Sequence, residues 1–416
     1  MEKIRIVGGR PLEGTVRIGG AKNASLPEVC AALLTSQPVV LHNVPEVRDI
    51  RTMGRVLGDF GADVEFKVGG TVEIVARELT SVEATYDLVK TMRASVLVLG
   101  PLLARAGSVR VSLPGGCAIG VRPIDFHLAA FRKLGAEVSL QHGYVEAKAS
   151  RLRGADIVFE TVTVTGTENA MLAATLADGT TRLVNAAREP EVADLAKLLV
   201  SMGARIEGAG TDRIVVEGVD SLHGAEHEVV PDRIEAGTYG IAAAATRGDV
   251  AVRRCRPEHL RALTSRLSAI GASVESDGDS LRVRAEGALP AQDVATSPYP
   301  GFPTDLQAQW TALATGLDGV STVTETIFEN RFHHVAELVR MGAMIRLEGR
   351  WAVVEGCRLT GANVMASDLR ASAALVIAGL TAEGPTTIER VYHLDRGYSR
   401  MDEKLNALGA SVERVT

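Results

Sequence analysis

Aromatic residues are scarce in this chain of 416 residues, making up 4% of the sequence. Proteins that bind single-stranded nucleic acid stack bases on aromatic rings, so this composition disfavours that class. The net charge of −6 also argues against a nucleic-acid or anionic-membrane surface, because such surfaces are basic. We therefore expect neither nucleic acid nor a membrane as a partner.

Cysteine motifs, long apolar runs and cofactor fingerprints are also missing. The four cysteines at positions 30, 117, 255 and 357 form no CxxC pair. This pattern suggests neither a zinc site nor a disulfide framework and favours reduced thiols in a cytosol. No apolar run is long enough to span a bilayer, and the start lacks the apolar core of a signal peptide. The motifs GxxxxGK[ST], GxGxxG and HExxH are absent. We expect a cytoplasmic protein without membrane insertion, metal or cofactor.

The sequence does contain a short motif that occurs six times, called the Gly-Ala phrase below. A bulky apolar residue precedes Gly-Ala, and two residues later Val or Ile follows. The glycines are 74, 68, 68, 71 and 67 residues apart, at positions 61, 135, 203, 271, 342 and 409. Each phrase follows a helix-like run such as His127–Leu134 and precedes strand-like residues. The pattern predicts six repeats in which this Gly ends a helix and releases the chain into a strand.

Each repeat reads as helix, strand, helix, strand, strand. The sixth repeat is cut off at Thr416, and Lys3–Gly8 has the pattern of its missing strand, so we expect the termini to meet. The segment His223–Asp232 divides the repeats into two groups of three. We therefore predict two α/β domains, residues 22–229 and residues 1–21 with 230–416.

The start of the first helix in each repeat carries unusual polar residues. Cations at helix N-termini oppose the helix dipole, so Lys22, Arg93 and Arg370 are expected to have anionic partners. Asp and Thr at these positions are equally consistent with ordinary helix caps. If the helix ends gather on one face of each domain, two such faces could line a charged cleft.

The second repeat has the longest period, and its additional residues form the segment Ser112–Pro123 with three glycines and Cys117. Insertions in repeats usually map to the binding face. A cysteine five residues from Arg122 could be a reactive thiol or a general acid, whereas Cys30 in an apolar helix is more typical of a core residue.

These residues also carry a resemblance to a known family, the UDP-N-acetylglucosamine 1-carboxyvinyltransferases, which are enolpyruvyl transferases of bacterial peptidoglycan synthesis. Matching segments run from end to end of the chain: Gly20–Ala24, Tyr86–Ser95, Leu113–Cys117, Gly120–Asp125, Asn185–Glu191, Gly210–Arg213, Phe302–Gln309, Phe328–Phe332, Asp368–Ser372 and Asp395–Tyr398. Thr165 departs from the glycine of several relatives. The resemblance implies two inside-out α/β barrel domains, each with three repeats of about 70 residues.

The resemblance also implies an activity and roles for particular residues. The enolpyruvyl group of phosphoenolpyruvate would join the 3′-hydroxyl of UDP-N-acetylglucosamine, with release of phosphate. Asp305 would act as the base and Cys117 as the acid that the antibiotic fosfomycin alkylates. Lys22, Arg122 and Arg396 would hold phosphoenolpyruvate. The sugar nucleotide would contact Asn23, Arg93, the loop Arg122, Pro123, Ile124, Asp125 and Phe126, then Thr161, Val162, Thr163, Val164, Asp305 and Ile327, while Arg331, Asp368 and Arg370 would complete the site.

Three alternatives remain open at this point. A 3-phosphoshikimate 1-carboxyvinyltransferase would share the fold and the chemistry, although the Cys117 loop and the segment Arg122–Asp125 favour the nucleotide-sugar enzyme. A DNA sliding clamp is also built from α/β repeats, but the acidic balance of the chain argues against it. A paralogue that binds the sugar nucleotide without catalysis is disfavoured by the presence of Cys117 and Asp305.

Overall fold

The computed structural model describes residues 2–89, 92–112 and 124–415, without the side chains of residues 87, 88 and 93. The described residues form two compact units. The first unit comprises residues 2–19 and 231–415, and the second comprises residues 20–89, 92–112 and 124–230. Each unit has its own hydrophobic core and three four-stranded sheets.

The strands of the first unit are short and similar in length. Their bounds are Lys3–Val7, Glu13–Arg17, Asp249–Arg253, Ser273–Asp277, Ser280–Arg284, Val294–Ala295, Val320–Thr324, Met344–Glu348, Trp351–Glu355, Asn363–Met365, Pro385–Glu389 and Ser411–Val415. Its α-helices are Arg233–Ala245, Arg261–Ala269, Gln307–Ala314, His333–Arg340, Leu369–Thr381 and Met401–Ala407, with 3₁₀ turns at Pro257–Leu260, Thr304–Leu306 and Val391–Arg396.

The second unit repeats the same arrangement. Its strands are Val39–His42, Asp63–Lys67, Thr71–Val75, Glu83–Ala84, Ser108–Ser112, Glu137–Gln141, Tyr144–Lys148, Asp156–Val158, Thr180–Val184, Arg205–Glu207, Arg213–Glu217 and Ala225–Glu228. Its α-helices are Lys22–Ala31, Arg48–Asp59, Tyr86–Val89, Leu99–Ala106, Asp125–Lys133, Val164–Ala174 and Pro190–Ser201, with 3₁₀ turns at Ala32–Leu34 and Arg93–Val98.

Each sheet contains a strand that the repeat pattern did not predict, and in five of the six sheets this strand has only two to four residues. In the third repeat, Asp156–Val158 pairs in parallel with Thr180–Val184, and the helix Val164–Ala174 forms the crossover between them. An antiparallel hairpin completes the sheet. The predicted order of five elements was therefore correct but incomplete, because a strand of two to four residues is too short to show a period of two.

Three of these sheets are completed by a strand from a distant part of the sequence. Lys3–Val7 pairs antiparallel with Ser411–Val415, with Ile6 opposite Val412, which confirms the predicted completion of the sixth repeat. Glu13–Arg17 pairs in parallel with Asp249–Arg253, and Ala225–Glu228 pairs in parallel with Val39–His42. Each unit thus closes upon itself.

The repeated glycines end the second helix of each repeat, as predicted. At the first of them, the Ala62 N–H donates to the Leu57 carbonyl at 3.1 Å, and the Gly61 N–H donates to the Gly58 carbonyl at 2.9 Å. The same pair of bonds recurs at the other five phrases, and all six glycines have φ between 87° and 100°. This is a Schellman cap, in which glycine adopts a left-handed conformation that other residues reach only at a cost.

The first helix of each repeat lies inside its unit, and the sheets lie outside. All eight residues of Gln307–Ala314 are buried, as are the eleven residues from Arg370 to Leu380. These two helices pack against each other and against Arg233–Ala245. A helix that is apolar around its circumference is typical of such a central position. Within the described residues, no helix has the length and hydropathy needed to cross a membrane.

Candidate active site

Asp305 lies between two arginines of the first unit. Its Oδ1 accepts a hydrogen bond from Arg331 Nη2 at 2.6 Å, and its Oδ2 accepts one from Arg370 Nη2 at 2.8 Å. The side chains of Arg331 and Arg370 are 6% and 4% exposed, whereas that of Asp305 is 23% exposed. Burial by itself would lower the pKa of the Arg370 guanidinium, but the Asp305 carboxylate outweighs burial and raises it. The cluster therefore holds two fixed cations and one carboxylate that solvent can reach.

The helical framework explains how these three residues meet. Asp305 belongs to the 3₁₀ turn Thr304–Leu306, which leads directly into the buried helix Gln307–Ala314. Arg370 is the second residue of the helix Leu369–Thr381. The N-terminal ends of two central helices are thus joined by an ion pair. The expectation that Arg370 has an anionic partner is met by Asp305.

Tyr398 supports Arg370 from the buried side. The Tyr398 hydroxyl accepts from Arg370 Nη1 and from Gln309 Nε2, both at 3.1 Å. Because those nitrogens can only donate, the hydroxyl proton is directed to Thr238 Oγ1 at 2.9 Å. Burial raises the pKa of the Tyr398 hydroxyl, which keeps this proton in place. The network fixes the orientation of the Arg370 guanidinium.

Glu325 supports the other side of the cluster and was not predicted from the sequence. Its carboxylate accepts from Thr304 Oγ1 at 2.8 Å and from the Ile327 N–H at 2.8 Å. Thr304 Oγ1 in turn accepts from Arg331 Nη1 at 2.9 Å. Glu325 is completely buried, so it positions Thr304, Arg331 and Ile327 from behind. No sequence motif marks it, and only its partners reveal its role.

Asp368 and Arg396 occupy the ends of helical segments. Asp368 caps the helix that contains Arg370, since its Oδ1 accepts from the N–H groups of Arg370 and Ala371 at 2.9 and 3.0 Å. Arg396 ends the 3₁₀ turn Val391–Arg396 and lies close enough to His393 to help burial lower the pKa of that imidazole. Both residues belong to the first unit, together with Asp305 and Arg331.

Lys22 has an anionic partner in the second unit. Its Nζ lies 3.5 Å from Oδ2 of Asp49, and both side chains are largely buried. Lys22 begins the helix Lys22–Ala31, which has no side-chain cap, and Asn23 follows it. Asp49 lies in the first turn of the next helix and offsets the unfavourable placement of a cation at a helix N-terminus.

Two segments predicted to contact the sugar nucleotide are brought together in the second unit. Ile124 and Asp125 begin the helix that contains His127, and Thr163 caps the helix that contains Thr165. Asn169 Oδ1 accepts from the Gly100 N–H, which orients its amide so that Nδ2 donates to His127 Nδ1 at 3.0 Å. His127 therefore carries its proton on Nε2 and donates it to Thr165 Oγ1 at 3.3 Å.

Several predicted site residues are not described by the structure. Cys117, Arg122 and Pro123 lie outside the described residues, and Arg93 begins the 3₁₀ turn Arg93–Val98 without a described side chain. Two of the three described cysteines are poor candidates for a reactive thiol. Burial raises the pKa of the Cys30 thiol, and it raises that of Cys255 to about 11. Thiolate character is therefore suppressed at both.

The second unit also buries a group of carboxyl side chains that the sequence did not predict. Glu28, Glu168 and Asp194 lie in three of its helices and are almost inaccessible to solvent. Burial, assisted by neighbouring carboxylates, raises the pKa of Glu28 and that of Glu168. None of these residues belongs to the predicted site.

The fold of two self-closed units of three repeats, with buried cationic helix ends, is that of the enolpyruvyl transferases. The enolpyruvyl transferase NikO from Streptomyces tendae superposes with a TM-score of 0.89 at 26% identity, covering 100% of this chain and 99% of its own. An EPSP synthase from Acinetobacter baumannii, at 18% identity, shares the fold with a TM-score of 0.76 and complete coverage of both chains. The predicted fold class is thereby confirmed.

Sequence comparison specifies the family. Residues 6–405 match the model of EPSP synthase (3-phosphoshikimate 1-carboxyvinyltransferase), and the chain belongs to this family of enolpyruvyl transferases. A UDP-N-acetylglucosamine 1-carboxyvinyltransferase from Koribacter versatilis is 58% identical over 419 aligned positions, covering 100% of this chain and 97% of that protein.

Proposed function

We propose that this protein transfers the enolpyruvyl group of phosphoenolpyruvate to the 3′-hydroxyl of UDP-N-acetylglucosamine and releases phosphate. The observation that carries this proposal is the 58% identity, over the whole chain, with the Koribacter versatilis enzyme of that specificity. The solved EPSP synthase of the alternative specificity is 18% identical. The reaction would supply a precursor of peptidoglycan.

The proposed reaction is an addition followed by an elimination. The sugar hydroxyl adds to C2 of phosphoenolpyruvate while its proton passes to a base, and C3 gains a proton from an acid to become a methyl group. The tetrahedral phospho-ketal then loses phosphate, and the methyl group loses a proton to restore the double bond. We assign the base to Asp305 and the acid to Cys117.

The contacts of Asp305 relate its proposed role as a base to the binding of substrate. Both oxygens of the Asp305 carboxylate accept hydrogen bonds from guanidinium groups. An anionic substrate that attracts Arg331 or Arg370 would release one oxygen of Asp305 to accept the hydroxyl proton. Ligand binding and activation of the base would then be a single event.

Fixed cations would hold the anionic groups of both substrates. Lys22, Arg122 and Arg396 are proposed to bind the phosphate and carboxylate of phosphoenolpyruvate, with Lys22 exchanging Asp49 for the ligand. Arginine suits such groups because its planar fork matches their oxygens. The sugar nucleotide would contact Asn23, Arg93, residues 122–126, residues 161–164 and Ile327. The hydrogen bond between His127 and Thr165 joins the helix that begins at Asp125 to the helix that begins at Val164.

Phosphate release from phosphoenolpyruvate tests the proposal directly. We expect release with UDP-N-acetylglucosamine and none with 3-phosphoshikimate, and the reverse result would favour the alternative enzyme. Asp305→Ala should lower kcat by about 10²–10⁴-fold, the usual contribution of a general base, while binding of the sugar nucleotide persists. Asp220→Asn, which changes an exposed ion pair with Arg151, is the control and should turn over normally.

Two finer points belong to the same proposal. Fosfomycin should inhibit the enzyme by alkylating Cys117. We also propose a cytoplasmic location, which agrees with the free thiols of Cys30, Cys255 and Cys357, since reduced cysteines are typical of that compartment.

A further inference from the structure

Three potential metal ligands from distant parts of the sequence meet in the second unit. Glu28 comes from the helix Lys22–Ala31, Asp194 from the helix Pro190–Ser201, and His227 from the strand Ala225–Glu228. Each offers one ligand atom, and the three atoms lie within 4.8 Å of one another. No local motif links them, which explains why the sequence predicted no metal.

The distances suit a small divalent ion. Asp194 Oδ2 lies 3.3 Å from His227 Nε2, and Glu28 Oε1 lies 3.7 Å from the same nitrogen. Ligands at about 2.1 Å from a tetrahedral zinc ion are about 3.4 Å apart. Little movement is therefore needed for the three atoms to share one ion.

Glu28 supplies an independent reason to expect a ligand. Its side chain is completely buried, and no hydrogen-bond donor among the described residues reaches either of its oxygens. His227 Nε2 also lacks a hydrogen-bond partner within the described part of the chain. Buried polar groups are nearly always satisfied, so an unsatisfied pair that faces a second carboxylate requires an explanation.

The nearby Lys197 does not account for the unsatisfied atoms of Glu28 and His227. Lys197 Nζ lies 3.7 Å from Asp194 Oδ1, but the lysine side chain is 60% exposed, so solvent weakens the interaction. Asp194 Oδ2 accepts from the Val230 N–H at 2.7 Å, which orients the carboxylate without neutralising it. This lysine is therefore a weak counterion for the two carboxyl groups.

We propose that Glu28, Asp194 and His227 form a binding site for one zinc-class divalent cation. A mixed set of imidazole nitrogen and carboxylate oxygens suits zinc or manganese better than magnesium or calcium, which prefer oxygen alone. The ion would join two helices to the strand that completes the first repeat. Because one of these helices begins with Lys22, the ion would stabilise the element that carries a proposed substrate contact. The proposal does not depend on the proposed function.

Metal titration of the full-length protein tests this site without reference to activity. After treatment with a chelator, we expect one equivalent of zinc to bind and to raise the thermal midpoint by about 5–10 °C at roughly 100 times Kd. Magnesium should have no such effect. Cobalt in place of zinc should give the visible absorption of a low-symmetry site.

Two variants and one control assign the ion to these residues. Glu28→Gln and His227→Gln should each abolish the response to zinc. Glu28→Gln should unfold no earlier than the metal-free wild type, since it replaces a buried carboxyl by a neutral group of the same shape, and this guards against a variant that merely misfolds. His223→Gln, an exposed histidine of the same unit, should keep the full response. Zinc binding that is absent from the wild type, or equal in all variants, would overturn the proposal.

Discussion

Removing the Asp305 carboxylate should destabilise the first unit as well as impair catalysis. Asp305→Ala leaves two buried guanidinium groups without the anion that they share. Loss of one partner from a buried ion pair costs about 3–5 kcal/mol. Arg370 retains Tyr398 and Arg331 retains Thr304, and water reaches the vacated position, so we expect about 2–4 kcal/mol.

The two tryptophans make this effect measurable in one unit. Trp310 and Trp351 both belong to the first unit, so urea unfolding followed by tryptophan fluorescence reports on that unit alone. Asp249→Ala is the matched control, because Asp249 forms a two-point ion pair with Arg282 that is partly exposed to solvent. We expect it to cost less than about 1 kcal/mol.

A second substitution separates charge from packing. Arg370→Met in the Asp305→Ala background removes one of the uncompensated cations and should recover part of the lost stability. The coupling free energy between the two positions should be about 1–3 kcal/mol. An Asp305→Ala protein that unfolds within about 0.5 kcal/mol of the wild type would refute the argument that this carboxylate neutralises the arginine pair.

Three further predictions concern pH, a helix cap and the reactive thiol. Burial lowers the pKa of His334 from 6.5 to about 4; the unfolded chain therefore binds a proton in this range that the folded chain does not, and acidification to pH 5 should cost the first unit about 2 kcal/mol. Urea titrations should show a smaller loss in His334→Gln, and an unchanged loss would count against the assignment. Gly135 has a φ of 91° and no neighbouring atom within 4 Å, so Gly135→Ala should lower the free energy of unfolding of the second unit by about 1–2 kcal/mol. Gly58 lies within a helix in equally open surroundings, so Gly58→Ala should raise it by about 0.5–1 kcal/mol. Equal effects of the two substitutions would contradict the assignment of Gly135 as a helix cap. Peptide mass spectrometry should find the fosfomycin adduct on Cys117, and an adduct on another cysteine would exclude it as the target.

The repeated glycines show what a sequence can reveal about this fold. A left-handed C-cap demands one residue type at one place, so six caps left a visible period, and the period led to the six repeats. The short parallel strands left no such trace. Ala225–Glu228 pairs with a strand that begins 186 residues earlier at Val39, and a strand this short and this distant from its partner has no pattern that identifies the pairing.

The residues of the candidate site also fall into those that the sequence indicated and those that it did not. Lys22 and Arg370 were recognisable because cations at the start of a helix are unusual, whereas Asp305 was indicated by the resemblance to the enolpyruvyl transferases. Glu325 and Tyr398 act through hydrogen bonds to Thr304 and Arg370, and such support depends on three-dimensional proximity. The cluster of Glu28, Asp194 and His227 combines three sequence-distant positions and could not be found by spacing alone.

The two predicted cationic helix ends with described partners are each paired with a carboxylate of their own unit. Lys22 pairs with Asp49, and Arg370 pairs with Asp305. Such pairing lowers the cost of holding cations at helix N-termini and in buried positions, and each carboxylate acts as an internal substitute for an anionic ligand. If the substrate binds these cations as proposed, it displaces an existing ion pair. The free energy of binding would then reflect the difference between two anions and would be smaller than the attraction of either. The displaced carboxylate can then accept a proton, and the Asp305 carboxylate is the group proposed to remove the proton from the sugar hydroxyl.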